Sequence, residues 1–322
     1  MNGSVLALDY AETADREEFR RAVLAGLSRT PRAIPAKFLY DARGSALFDA
    51  ICDLPEYYLT RTEIEILLRH AADIASRAGP GSALIEFGSG SSVKSRLLLD
   101  SLQDLALYSP IDISRQHLDQ TAAALRRDYP SLRVEPVCAD YMALDALPQI
   151  NGYTRRLGFF PGSTIGNLEP DEATAFLRRT RHLLRKDGAL VLGADLRKDP
   201  QRLHDAYNDS AGVTAAFTLN LLRRMNRELQ ATFDLDAFVH DAFYNEAEGR
   251  IEIYFRSLRQ QSVTVAGRSF AFAEGERVHT EYSYKFDIAG IDALARSAGM
   301  RIAETWTDPS RLFAVTYLVA TP

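Results

Sequence analysis

Cysteine is scarce in this chain: Cys52 and Cys138 are the only two in 322 residues, and neither sits at metal-ligand spacing. Two isolated thiols exclude a disulfide-stapled scaffold, so both are expected as buried thiols in a reducing compartment, with no metal bound. Basic blocks are missing as well. Lysine and arginine are scattered among acids, as in Arg20-Arg21 and Arg126-Arg127-Asp128, and the net charge is −5. With a pI of about 5.8, the pattern reads as solvated helix faces and excludes a nucleic-acid partner. No apolar run approaches the roughly 20 residues that cross a bilayer. The first residues carry Asp9 and Glu12 where a signal peptide would have its apolar core. A cytoplasmic protein with no membrane partner is expected. No internal repeat appears. Neither do the histidines (His70, His117, His182, His204, His240 and His279) show ligand spacing, and none is assigned a catalytic role.

What the chain does have is length and apolar content. At 46% hydrophobic residues it can bury a sizeable core and carry a second lobe. Ala83-Leu84-Ile85-Glu86-Phe87 reads as a buried strand, followed by the turn Gly88-Ser89-Gly90 and a helix over 91–102. Strands are expected over 107–112 and 132–137 around a helix over 114–128, and again at Leu157-Gly158-Phe159-Phe160. Pro170-Asp171 open a helix that stops near Lys186-Asp187-Gly188, ahead of a strand over 189–194. Such alternation implies a parallel sheet with right-handed crossovers. After Asp195 it lapses into helical material around 203–229 and strands such as 250–255 and 261–265. It resumes with a helix over 288–298, the Gly299 stop, and strands over 300–306 and 312–319 close enough to pair antiparallel. The expected class is α/β, a seven-stranded Rossmann-like sheet with an inserted α+β lobe. The boundaries expected are 62–198 plus 286–322 for the sheet domain, and 1–61 plus 199–285 for the second lobe.

Glu86-Phe87-Gly88-Ser89-Gly90-Ser91-Ser92 lies where the first strand meets its helix. Glycines there let the backbone approach a ligand, and the helix start offers unpaired N–H groups. A dinucleotide fold would carry a third glycine, but Val93 takes its place, and an acid precedes the turn. That disfavours a nicotinamide dehydrogenase and is nearer the nucleoside-binding loop of methyltransferases. The turn also serves as a tight connection alone. Asp112, ending the second strand, can accept from both ribose hydroxyls. Asp140, beside Tyr141 after the third, can accept from an adenine amino group. Singly, each aspartate reads more readily as a turn or cap residue. Together the three features fall at successive strand C-termini, where open α/β sheets bind ligands.

Beyond the fourth strand, Pro161-Gly162-Ser163-Thr164-Ile165-Gly166-Asn167-Leu168 suits the wall of a polar site, with Asn167 able to present its carbonyl oxygen to an amine. A loop or cap asparagine is the ordinary alternative. This segment, Leu54-Pro55-Glu56-Tyr57-Tyr58-Leu59-Thr60-Arg61-Thr62-Glu63 and the loop from Glu86 to Lys94 resemble the histidine Nα-methyltransferases of ergothioneine biosynthesis. So do Ala206-Tyr207-Asn208-Asp209, Phe233-Asp234-Leu235-Asp236-Ala237-Phe238 and Thr280-Glu281-Tyr282-Ser283-Tyr284-Lys285-Phe286. The motifs are collinear from about residue 20 to the C-terminus. Two departures stand out: Ile253, where relatives carry methionine, and Ser92-Val93, where the turn is usually more polar.

The resemblance implies a methyltransferase sheet with a substrate-binding lobe, and S-adenosylmethionine held by Gly88, Lys94, Asp112, Asp140 and Tyr141. It also implies that Tyr57, Asn167 and Tyr207 hold the backbone end of L-histidine, while Glu281, Tyr282 and Ser283 meet its side chain. For Tyr57 and Tyr207, a half-buried aromatic with a satisfied hydroxyl is the ordinary reading. On an extended segment, Glu281 and Ser283 share one face. A carboxylate accepts one ring N–H and a hydroxyl meets the other nitrogen, and such a pocket rejects ligands that cannot return these bonds. Asn167 and Tyr57 are the expected catalytic residues. Asn167 orients the amine and the tyrosines anchor the carboxylate; no dedicated base is evident. Three transfers, giving the trimethyl betaine hercynine, are implied by the family. A monomer is expected. The rivals are the same chemistry on tryptophan or a small diamine, and a non-catalytic sensor of cofactor or amino acid.

Overall fold

The structure is a computed structural model that describes residues 3–90, 92–147 and 151–321, with side chains from residue 15 onward apart from His117. Ser91, expected in the glycine turn and at the helix start, lies outside the described residues, as does the side chain of His117. In chain order the elements run α1 (Gly3–Ser28), α2 (Ala42–Cys52), α3 (Tyr58–Ala78), β1 (Ala83–Phe87), α4 (Val93–Leu99), β2 (Leu107–Asp112), α5 (Arg115–Asp128), β3 (Val137–Cys138) and β4 (Arg156–Phe160). There follow α6 (Pro170–Leu184), β5 (Ala189–Asp195), α7 (Pro200–Tyr207), α8 (Val213–Leu229), β6 (Phe238–Asn245), β7 (Arg250–Ser257), β8 (Gln261–Val265), β9 (Arg268–Phe272), β10 (Arg277–Tyr284), α9 (Ile288–Ser297), β11 (Met300–Thr307) and β12 (Phe313–Ala320). No helix among the described residues is long and apolar enough to cross a membrane.

The chain divides into two compact units: Cys52–Ala206 with Asn245–Ile251 and Tyr282–Pro322, and Met1–Ile51 with Tyr207–Tyr244 and Glu252–Glu281. The larger unit holds the seven-stranded sheet, ordered β11-β12-β5-β4-β1-β2-β3. Pairs from β3 through β5 are parallel, whereas β12 runs antiparallel to both β5 and β11. The strands β1, β4 and β5 are buried at every position, as strands covered by helices on both faces must be. Ile85, Phe87, Phe160, Phe176, Leu177, Leu192 and Leu318 lie in its continuous core. Helix α6 starts as its residues dictate: Pro170 occupies the first turn, and Glu169 and Glu172 form a reciprocal capping box.

Two expectations are corrected. The third strand is not a run over 132–137 but the two residues Val137–Cys138, preceded by a single bridge between Tyr108 and Val134. Pro136 separates the two and has no N–H for the ladder. The thiols of Cys52 and Cys138 are half-buried rather than buried. Cys138 lies on β3, which among the described residues is an edge strand paired only with β2. The helical material around 203–229 forms two helices. Between them, Asp209 accepts from the Val213 and Thr214 N–H groups, and Gly212 takes the left-handed φ of 71° that turns the chain.

The smaller unit holds α8, the β8–β9 hairpin and most of β6, β7 and β10, and α8 packs on β8; the three strands form a sheet in the order β10-β7-β6. Phe233, Phe238, Phe255 and Phe272 meet edge-to-face in its core.

Candidate active site

The C-terminal ends of β1, β2 and β3 carry Gly88, Asp112, Asp140 and Tyr141, the residues expected on the cofactor side. The turn after β1 is held by Gly88 and Ser89 N–H groups donating to the Ile111 carbonyl at 2.8 and 3.3 Å. Gly88 and Gly90 have φ of 75° and 46°. A Cβ on Gly88 would meet only the Tyr141 ring, at 3.7 Å, and one on Gly90 would meet nothing within 4 Å. Conformation, not crowding within the protein, therefore calls for glycine here. Asp112 accepts from Gly90 N–H at 3.2 Å with one oxygen and from Ser114 N–H at 2.9 Å with the other. The turn role and the ligand role are compatible, because a carboxylate offers about four acceptor sites. Asp140 accepts from Met142 N–H at 2.9 Å, and Tyr141 packs edge-on against Phe160 and Phe176. The structure thus gathers Gly88, Asp112 and Tyr141 around one turn.

Glu86 does not face outward. Its carboxylate is 1% exposed and accepts from the hydroxyls of Ser95, at 2.5 Å, and Tyr108. Burial pushes the Glu86 carboxyl up to about 8 against those hydrogen bonds and the nearby Lys94 charge. The acid before the turn ties β1, β2 and α4 together beneath the loop. Among the described residues, the buried side-chain oxygen of Ser89 has no hydrogen-bond partner. Together with the open approach to Gly90 and the backbone-fixed Asp112, it fits a hydroxyl-rich nucleoside.

The loop after β4 is built on a residue that the sequence does not mark. Glu63 of α3 is fully buried; its carboxylate accepts from Gly162 N–H at 2.9 and 3.1 Å and pairs with Lys94 Nζ at 2.6 Å. A Cβ on Gly193 of β5 would come within 2.1 Å of that carboxylate, so only glycine leaves room for it. Lys94 thereby joins the cofactor-side helix α4 to the Asn167 loop. Asn167 ends a single 3-10 turn, Thr164–Asn167. A Cβ on Gly166 would press to 2.7 Å from the Tyr284 carbonyl, and this close approach brings the Asn167 loop against the end of β10 that carries Tyr282 and Ser283.

A buried ionic cluster underlies the same side. The Tyr58 hydroxyl donates to both oxygens of Asp195, at 2.8 and 3.0 Å. Lys198 pairs with Asp195 as well and donates to the Tyr58 hydroxyl oxygen at 2.6 Å. Lys285 Nζ lies 2.9 Å from Asp195 and 2.8 Å from Ser283 Oγ. Asp195 N–H in turn donates to Ser163 Oγ at 2.9 Å. Tyr57, 7% exposed, precedes the anchored Tyr58 at the start of α3. Tyr282 lies under the Arg250 guanidinium, 3.7 Å from its ring centroid, and Arg250 also donates to the Tyr284 hydroxyl, which donates to Glu169 at 2.6 Å.

Tyr207 and Glu281 belong to the smaller unit. Tyr207 is 6% exposed and its carbonyl accepts from the ring of His240, whose other nitrogen meets Thr218, both at 2.9 Å. Glu281 is buried near the end of β10, and the hydroxyl of its neighbour Thr280 donates to the Ile253 carbonyl at 3.0 Å. Glu63, Asp195, Lys198 and Lys285 escaped the sequence reading. Their one local signal is a place inside or beside the collinear motifs.

A glycine turn between β1 and α4, acids at successive strand ends and a sheet closed by an antiparallel β12 define a Rossmann-like S-adenosylmethionine-dependent methyltransferase. The family described as "Histidine-specific methyltransferase, SAM-dependent" matches residues 19–320, and the chain belongs to it. It is 44% identical over 320 residues, 98% of each chain, to the histidine N-alpha-methyltransferase of Mycolicibacterium smegmatis. The corresponding Mycobacterium tuberculosis enzyme is 42% identical over 315 residues, 96% of this chain and 97% of that one. Ergothioneine biosynthesis protein 1 of Neurospora crassa is 31% identical over 287 residues, 86% of this chain but 32% of the longer fungal protein. Among solved structures, the CcbJ methyltransferase of Streptomyces caelestis is similar with a TM-score of 0.48 and 17% identity, over 79% of this chain and 90% of that one.

Proposed function

We propose that the enzyme methylates the α-amino nitrogen of L-histidine three times, yielding the trimethyl betaine hercynine, the first step of ergothioneine biosynthesis. The observation that carries the reading is the near full-length similarity to two histidine N-alpha-methyltransferases. S-adenosylmethionine supplies a sulfonium-activated methyl, so the chain's task is to hold a neutral amine in line with it. Holding reacting atoms in near-attack geometry is worth about 7–11 kcal/mol.

In this reading the larger unit binds the cofactor. Gly88 allows the backbone to approach it, Lys94 borders it, Asp112 accepts from its ribose hydroxyls, and Asp140 with Tyr141 meets the adenine. Asn167 accepts from the substrate amine and turns its lone pair toward the methyl, while Tyr57 and Tyr207 anchor the carboxylate. Glu281, Tyr282 and Ser283 recognise the imidazole, and the smaller unit is the substrate lobe. The amine's proton leaves to water or a weak local acceptor. Tyrosine faces accommodate the trimethylammonium product. The working unit is a cytoplasmic monomer with no nucleic-acid partner.

The closeness of Gly166 to Tyr284, both in the larger unit, supports the placement of the Asn167 loop beside Tyr282 and Ser283. Mass spectrometry of histidine incubated with enzyme and S-adenosylmethionine tests the reading. Successive gains of one, two and three methyl groups are expected. Methylation of tryptophan in preference to histidine would transfer the reading to another amine.

A further inference from the structure

We infer that Arg250 is a positioning residue that fixes the spacing between the amine-side loop and the ring-side strand, and so selects an amino acid by the length of its side chain. The inference rests on the reading that Asn167 meets the substrate amine while Tyr282 and Ser283 meet the ring. Arg250, Asn167, Glu169, Tyr282, Ser283 and Tyr284 all belong to the larger unit. The Arg250 guanidinium lies over the Tyr282 ring, 3.7 Å from its centroid. It also donates to the Tyr284 hydroxyl, which donates in turn to Glu169 at 2.6 Å. Directly, the guanidinium is 3.5 Å from the Glu169 carboxylate. One planar group therefore ties Tyr282 to Glu169, two residues past Asn167.

Both ends of this link are held by backbone. Glu169 caps α6 in a reciprocal box with Glu172, so its carboxylate moves only with the start of that helix. At the other end, Lys285 N–H donates to the Gly249 carbonyl at 2.8 Å, which fixes the start of β7 beside the end of β10. Gly166 lies so close to Tyr284 that a Cβ would come within 2.7 Å of its carbonyl. That contact sets a lower limit on the spacing, and the chain from Glu169 through Tyr284 to Arg250 sets an upper one. Burial, reinforced by the bond to Glu169, pushes the Tyr284 hydroxyl up to about 12, so it stays a donor at working pH. With the Glu169 side chain 46% exposed, the ion pair adds little stability. Its consequence is geometric: only a side chain of one length reaches Tyr282 while its amine meets Asn167.

The test compares dissociation constants for histidine and for its homologue with one more methylene in the side chain, by calorimetry on enzyme loaded with S-adenosylhomocysteine. Wild type should favour histidine by at least about tenfold. In Arg250→Met the preference should fall to about twofold or less, because the longer ligand no longer works against a fixed spacing. Turnover of histidine should fall about tenfold or more, since the Asn167 loop no longer holds the amine in line, while S-adenosylhomocysteine affinity stays as in wild type. A packing defect alone lowers the fraction of active protein and leaves the ratio of the two constants in place. An unchanged ratio overturns the inference, as does a wild type that binds both ligands equally.

Should Arg250→Met fail to fold, Arg250→Lys answers the same question. An ammonium keeps the charge but is a single point, which cannot both cover the Tyr282 ring and reach Tyr284 as a planar fork does. The preference for histidine should again fall, by at least about threefold, and a full wild-type ratio in Arg250→Lys contradicts the inference. Wild type that neither binds nor methylates histidine overturns the histidine reading itself, and the inference with it.

Discussion

Glu63 and Lys94 form a pair whose two halves differ in access to water, and this asymmetry sets what each substitution costs. Glu63 is fully buried while the Lys94 side chain keeps 17% exposure. In Lys94→Met the carboxylate retains the Gly162 N–H bonds, but it cannot swing to solvent, because β5 approaches it so closely at Gly193. Stranding a buried charge costs about 3–5 kcal/mol. In Glu63→Gln the amide oxygen still accepts from Gly162, and Lys94 can turn toward water, so the loss is expected at about 1–3 kcal/mol. The double variant removes both charges and should recover about 1 kcal/mol or more relative to the sum of the singles. Urea denaturation of the four proteins reads these values directly. Calorimetry with S-adenosylhomocysteine should show weakened binding in Glu63→Gln, since the pair joins α4 to the Asn167 loop. Equal and additive losses in the two single variants would refute the burial argument.

Three further outcomes follow from the site. Asp112→Ala should lose cofactor affinity by at least about tenfold, because the proposed ribose bonds and the Gly90 contact go together; normal S-adenosylhomocysteine binding would remove Asp112 from the nucleoside site. Glu281→Ala should lower kcat/KM for histidine by about a hundredfold while leaving S-adenosylhomocysteine affinity unchanged, as expected when a hydrogen-bonding pocket loses its acceptor; unchanged histidine kinetics would take Glu281 out of the pocket. For Glu86 the folded carboxyl is raised from 4.5 to about 8, so the folded state holds a proton that the unfolded chain gives up. Its stabilising contribution is full below pH about 4.5 and is lost as pH rises toward about 8. Glu86→Gln keeps the neutral form at every pH, so its stability relative to wild type should increase across that window, by up to about 1.4 kcal/mol per unit. A pH-independent difference in urea midpoints would contradict the assignment.

The sheet was legible because its strands are short apolar runs between glycine and proline punctuation: β1 coincides with Ala83-Leu84-Ile85-Glu86-Phe87, and the final antiparallel pair was expected from its spacing. β3 was overextended because Leu132-Arg133-Val134 looks like a strand until Pro136 is weighed. Asp112 was visible as an acid at a strand end. Tyr57, Asn167, Tyr207 and Glu281 were visible only through the collinear motifs, since a single tyrosine, loop asparagine or glutamate has an ordinary reading. The buried charges were the least visible. Lys285 and Asp195 stand 90 positions apart, and charged residues are read as surface because they are so seldom fully buried unless paired. Only the folded chain supplies the partner that makes burial tolerable.

The most direct test of the account is where the methyl groups go. Proton NMR of the product from histidine and S-adenosylmethionine should show a trimethylammonium singlet beside a shifted α-proton, with both ring protons in their unmodified pattern. Methyl signal on a ring nitrogen, or none at all, would contradict the assignment of Asn167 to the α-amine and of Glu281 and Ser283 to the imidazole.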